Sequence, residues 1–196
     1  MVKIVVTGFG KFGNIIDNPT THLAELLKED PNVHSTTVLE VSAEGVRAAM
    51  EPMWAEAEND EETTVFIHMG VNDGGKQIDL EQFGYNIAHF PIPDERGWVA
   101  NNETITENED ASLETALPLE KLLAHCQEQG CKMSISNDPG RYICNYTYFL
   151  SLVHAKKHAA KNQHALFVHF PSFNTMPKED QLHGIKTFIA ALKDTL

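Results

Sequence analysis

The segment SNDPGRYICNYTYFLSL (residues 136–152) places one of the chain's three cysteines, Cys144, where strong turn residues give way to an apolar run with helical spacing. A thiol at the start of a helix meets free N–H groups and the positive end of the helix dipole. Both favour the thiolate, the nucleophilic form of cysteine. The same N–H groups could hold an oxyanion during acyl transfer. A lone cysteine also serves as a small buried hydrophobe. Cys126, in a predicted helix, and Cys131, just past its end, are read that way. A thiol nucleophile needs a base, and ten histidines are available. His169 closes an apolar run, FVHFPS, that Pro171 stops. At the C-terminal edge of a strand it can meet a neighbouring strand-to-helix junction. His68 has a similar position and stands as its rival. His154 and His158 are spaced i, i+4, as metal ligands can be; nothing beside them in sequence completes a site, so they read as a polar helix face.

Two glycine-rich loops are further candidates. TGFGKFG (residues 7–13) matches G-x-G-x-x-G after a strand-like run, the pattern of a dinucleotide loop. Here, however, NIIDNP follows the third glycine, so no helix can open before about residue 18. Glu29 and Asp30, about 20 residues on, fall at a helix end and not at the end of a second strand. The alternative is a loop that presents Phe9 and Phe12 to something flat and apolar, unless both rings are core. The second loop, Gly70–Lys76, follows a buried strand at its C-terminal end, where open α/β sheets bind ligands. It is no Walker A loop, because Gln77 and not a hydroxyl residue follows the lysine. Glu81 lies on the alternating run QIDLEQF, whose pattern reads as an exposed or edge strand with a solvated carboxylate.

The elements that must position these residues alternate along the chain. Apolar, β-branched runs at 2–7, 64–69 and 165–170 predict strands buried on both faces, with shorter strands at 36–41 and 132–136. Helices are predicted at 20–29, 44–58, 118–129, 143–160 and 178–195. Residues 91–110, rich in acids and interrupted by prolines, read as a long surface excursion. This alternation predicts an α/β fold: a three-layer sandwich with a mostly parallel central sheet and helices on both faces. With 196 residues and no repeat or linker, one domain spanning 1–196 is expected.

Composition narrows the function classes. Hydrophobic residues are 42% and charged residues 22%, the mix of a soluble globular chain. Lys+Arg number 15 against Asp+Glu 28, a formal charge of −13, which argues against nucleic acid and anionic membranes as partners. No run approaches the ~18 apolar residues of a membrane helix. The odd cysteine count and the absence of a secretory pattern point to the cytoplasm and leave room for a reactive thiol. The sequons at Asn102 and Asn145 are then without consequence. The oligomeric state is left open.

Taken in order, TGF-x-x-FG followed by NP, the glycine loop leading to E-x-x-x-x-N, S-x-x-x-GRY-x-CN and FVH-x-P resemble the pyroglutamyl-peptidase I family of cytosolic cysteine peptidases, over nearly the whole chain. These enzymes remove an N-terminal pyroglutamyl residue from peptides. The resemblance implies a catalytic triad of Cys144, His169 and Glu81, with no metal and no cofactor. Phe9 and Phe12 would hold the lactam ring. Asn18 would assist polar recognition, and the Gly70–Gly75 loop, through Gly70, Val71 and Asn72, would supply backbone contacts. Activity would then be abolished by thiol alkylation and survive metal chelators. The chain departs from the family pattern at Gly10-Lys11, where Glu-Pro is usual, at Pro91, where bacterial members carry an arginine, and at Pro139-Gly140, where they carry Ala-Gly. The competing reading is a non-catalytic α/β binding protein on the same scaffold.

Overall fold

The computed structural model describes residues 2–196. The chain runs β1 (Val2–Phe9), α1 (Pro19–Leu27), β2 (Ser35–Leu39), α2 (Ala43–Glu58) and β3 (Thr63–Val71). It continues through β4 (Ile78–Glu81), β5 (Phe83–Tyr85), β6 (Ala88–His89), β7 (Asn101–Glu103) and β8 (Ser112–Glu114). Then follow α3 (Leu119–Glu128), β9 (Met133–Ser136), α4 (Ile143–Lys157), a 3₁₀ turn at Ala159–Lys161, β10 (Gln163–Phe170) and α5 (Lys178–Thr195).

Six strands form the central sheet in the order β2-β1-β3-β10-β4-β9. The strands β1, β3 and β10 are apolar on both faces because both faces are covered. One face packs on α1, α3 and α5 through Leu23, Leu122 and Phe188. The other packs on α2 and α4 through Met50, Phe149 and Phe167. This is the expected three-layer sandwich with a mostly parallel sheet: only the β4–β10 pairing is antiparallel.

Two expectations are corrected. β4 is not an edge strand, because it lies between β10 and β9 and the edge passes to β9. Residues 91–110 are also more than a surface excursion. Together with their flanks they form two small antiparallel ribbons, β5–β8 and β6–β7, and they bury Asp94, Ala100 and Ile105. The ribbons cover a side of α4 that the sheet leaves open: β5 and β8 pack on it directly. This accounts for α4 itself, which is buried on nearly every side and carries hardly any polar stripe.

Candidate active site

The register of the sheet assembles the site before any loop is considered. Glu81 of β4 lies directly opposite Phe167 of β10, and His169 is two residues further along β10. Residues two apart on a strand share a face, so Glu81 and His169 are diagonal neighbours on one side of the sheet. Glu81 Oε1 lies 2.7 Å from His169 Nδ1. On the opposite flank, Gly70 of β3 pairs with His169. A Cβ at Gly70 would stand 2.6 Å from the Phe167 ring and 3.0 Å from Cys144 Sγ. The bare glycine therefore leaves the space that the thiol fills, above the same face.

Cys144 arrives from the other layer, in the first turn of α4. No side chain caps that helix, so its leading N–H groups stay available beside the thiol. With Nδ1 of His169 engaged by Glu81, the remaining ring nitrogen is left for Cys144, whose side chain interacts with the imidazole. Burial pulls the His169 pKa down, but the hydrogen bonds and charges of Cys144 and Glu81 outweigh it and raise it from 6.5 to about 10. The imidazole is thus held as an imidazolium between a thiol sulfur and a carboxylate. Glu81 is only 2% exposed, and among the described residues its Oε2 has no hydrogen-bond partner. A buried carboxylate of this kind is stable only opposite a positive charge, which the imidazolium supplies.

The cleft above the thiol encloses about 390 Å³, and its walls include Phe12, Asn72, Asp138, Tyr142, Cys144 and His169. That volume suits a small ligand. A larger surface cavity, about 690 Å³, lies among Val2, Lys3, Val33 and Leu196, far from these groups. Size alone would select the wrong place.

The other residues singled out in the sequence divide between cleft and frame. Phe12 lies at the cleft, 6.0 Å from the Tyr142 ring. Phe9 does not: it ends β1, is 2% exposed, and packs on Phe167 within the core. Val71 and Asn72 line the cleft, and the Asn72 N–H is tied to the Phe170 carbonyl. Asn18 is buried away from the cleft and works as a helix cap. Its Oδ1 accepts from the Thr20 N–H and its Nδ2 donates to the Gly10 carbonyl, which fixes the first loop to α1. That helix begins at Pro19, so Gly13 opens no helix and the dinucleotide reading of the loop fails. Gly13 instead takes φ +48° in a tight turn that Phe12 and Ile15 close with paired backbone hydrogen bonds.

The rival histidine is accounted for as well. His68 is fully buried, with Nδ1 2.8 Å from Thr7 Oγ1 and Nε2 2.9 Å from Ser151 Oγ. Burial lowers its pKa to about 3. Both nitrogens are used within the frame, and no face is left for a thiol. Arg96, the arginine nearest in sequence to Pro91, is equally committed, to Glu40 and Glu44 at 2.5 and 2.6 Å.

Two site residues escaped the sequence reading. Tyr142 supplies the wall facing Phe12. Asn145, next to the thiol, is fully buried; it accepts from the Tyr85 N–H at 2.8 Å and donates to the carbonyls of Tyr85 and Ile87. It locks the β5 ribbon onto the start of α4. The available signal was an amide side chain in the first turn of a largely apolar helix.

The family model described as pyroglutamyl peptidase matches residues 2–191. The pyrrolidone-carboxylate peptidase of Pyrococcus furiosus is 30% identical over 174 residues, which cover 87% of this chain and 81% of the relative. The enzyme of that name from Bacillus subtilis is 25% identical, with 97% and 89% covered. Among solved structures, a mutant pyrrolidone carboxyl peptidase from P. furiosus superposes with a TM-score of 0.89 at 27% identity, covering 99% of each chain. The pyrrolidone carboxyl peptidase of Thermus thermophilus gives 0.82 at 28% identity, covering 95% of this chain and 98% of its own.

Proposed function

The chain belongs to the pyroglutamyl peptidase family, and on that premise we propose that it is a cysteine exopeptidase in which Cys144, His169 and Glu81 hydrolyse the amide bond after an N-terminal pyroglutamyl residue. The observation that carries this assignment of roles is the line from the buried Glu81 through His169 to the partly exposed Cys144, with its 2.7 Å carboxylate–imidazole contact. The Cys144 thiolate attacks the carbonyl carbon of the pyroglutamyl residue. The negative charge that develops on the oxygen is taken up by N–H groups at the start of α4, that of Cys144 foremost. His169 gives its proton to the leaving amine, and the shortened peptide departs. His169, now neutral, takes a proton from water, and the hydroxide displaces the thiolate from the acyl-enzyme. Pyroglutamate is released and the imidazolium is restored. Glu81 holds the ring orientation and offsets its charge throughout.

The cleft suits the substrate class. Phe12 and Tyr142 give it apolar walls for a flat, uncharged lactam, and the Gly70–Asn72 backbone lies beside the thiol for polar contacts. Phe9 backs this arrangement from the core. An open N-terminal glutamine or glutamate carries an ammonium group, whose desolvation against these walls is costly. The same reading expects one catalytic domain over 1–196 and a cytoplasmic site of action. Among the described residues, no helix is long and apolar enough to cross a membrane.

The test is release of fluorophore from a pyroglutamyl-aminocoumarin amide by the reduced wild type and by Cys144→Ala. Turnover by the first and none by the second is expected. A folded, reduced wild type that binds the amide without cleaving it would replace this reading with that of a binding protein on the peptidase scaffold.

A further inference from the structure

The two histidines read from the sequence as a polar helix face stand in a different setting. His154 is 7% exposed and lies under the Trp54 ring, with ring centroids 5.0 Å apart and planes nearly parallel. His158 follows at the end of α4, its ring centroid 4.4 Å from that of His154. Glu58, the last residue of α2, completes the group. Its Oε1 lies 3.8 Å from His154 Nδ1 and 3.5 Å from His158 Nε2. One ligand atom from each of the three residues falls within 4.8 Å of the others.

The hydrogen bonds on the outer side of each ring set the tautomers. His154 donates from Nε2 to Gln163 Oε1 at 2.6 Å, and His158 donates from Nδ1 to the His154 carbonyl at 3.0 Å. Each bond fixes the ring proton on the nitrogen facing away from Glu58. The lone pairs of His154 Nδ1 and His158 Nε2 are thereby left on the Glu58 side. An outer N–H held by a carbonyl or amide oxygen, with the inner nitrogen free, is the usual arrangement of metal-binding histidines. The spacings agree. A tetrahedral site with bonds of 2.0–2.1 Å sets its ligand atoms about 3.3–3.4 Å apart, close to the two distances from Glu58.

We propose that Glu58, His154 and His158 bind one divalent transition-metal ion of the zinc class, with water as the fourth ligand. Two imidazoles and one carboxylate suit zinc and its neighbours better than calcium or magnesium, which prefer all-oxygen shells. Lys157 and Lys161 lie nearby and add positive charge, with Lys161 donating to the Glu58 carbonyl, so the Glu58 carboxylate is the one anionic ligand that offsets the ion's charge. The site is remote from the chemistry. Cys144 and His158 are fourteen residues apart on α4, about 21 Å along the helix. The ion would clamp the end of α2 to the end of α4, so its effect falls on stability and not on the thiol.

The experiment uses the Cys144→Ala chain, so that the thiol is not counted as a ligand. ZnCl₂ is titrated by calorimetry and thermal unfolding, and CoCl₂ by visible absorption. One saturable site, a Tm that rises with zinc, and the d–d bands of tetrahedral cobalt are expected. Glu58→Gln and His158→Ala, both at partly exposed positions, should each weaken binding by more than about tenfold and remove the cobalt bands. Gln163→Leu should weaken binding about tenfold by freeing the His154 ring proton. Zinc binding or a Tm rise unchanged in both ligand variants, or no saturable binding in the parent, would overturn the proposal.

Discussion

At the scale of single residues, the contact between Glu81 and His169 sets the working pH range of the proposed mechanism. The imidazolium is retained up to about pH 10 because Cys144 and Glu81 together outweigh the cost of burial. In the proposed mechanism, loss of that proton removes the acid that the leaving amine needs. Activity should therefore fall on the alkaline side near pH 10. Glu81→Gln preserves a hydrogen-bonding group but deletes a negative charge that raises the His169 pKa. The alkaline limb of kcat/KM should then move to lower pH, and the rate at neutral pH should drop by about 10²-fold or more. A pH–rate profile of the two forms tests this. An alkaline limb in the same place for both would mean that the carboxylate does not govern the imidazole. The role of Glu81 was barely legible in the sequence: the alternation of IDLEQF describes a half-exposed strand equally well. Its burial comes from β9, which arrives more than fifty residues later and takes the edge. His169 and His68 were likewise equivalent by position. What separates them is the neighbour each ring meets, a bare glycine and a carboxylate for one, two hydroxyls for the other.

At the scale of elements, the thiol is held in place by a helix that is itself clamped from outside. Asn145 makes three hydrogen bonds to the backbone of the ribbon that covers α4. Asn145→Ala leaves an N–H and two carbonyls without their partner in a dry setting, at about 1–3 kcal/mol for each group that water cannot reach. The variant should lose at least about 2 kcal/mol of stability by urea unfolding. Its kcat should fall more than its KM rises, because the start of α4 is no longer fixed relative to His169. Unaltered kcat in a destabilised variant would reduce Asn145 to a structural role. The long helices and the three central strands were legible in the sequence because their apolar periodicity is strong. The ribbons of residues 83–114 were not, because their strands are two or three residues long and pair across distant turns. The first loop shows the same limit at short range. Phe9 and Phe12 are three residues apart, yet the end of β1 buries one and the turn at Gly13 brings the other to the cleft.

At the scale of the whole molecule, one buried histidine ties three elements together, and its proton makes the fold sensitive to acid. His68 of β3 bonds to Thr7 of β1 and Ser151 of α4. Its pKa lies near 3 in the fold because of burial, against 6.5 for an exposed imidazole. Between these values the unfolded chain binds a proton that the folded chain does not. Stability therefore declines as pH falls through 6.5, by up to about 1.4 kcal/mol per pH unit from this residue. From pH 7 to 5, before most carboxylates titrate, that amounts to about 2 kcal/mol. His154 and His164, also lowered chiefly by burial, act in the same direction. Urea unfolding of the wild type and His68→Gln at pH 7 and pH 5 separates the contributions. The variant should be the less stable at pH 7, since a fitted ring is replaced by a smaller amide, yet it should lose markedly less on acidification. Parallel losses in the two proteins would show that the acid sensitivity arises elsewhere in the molecule.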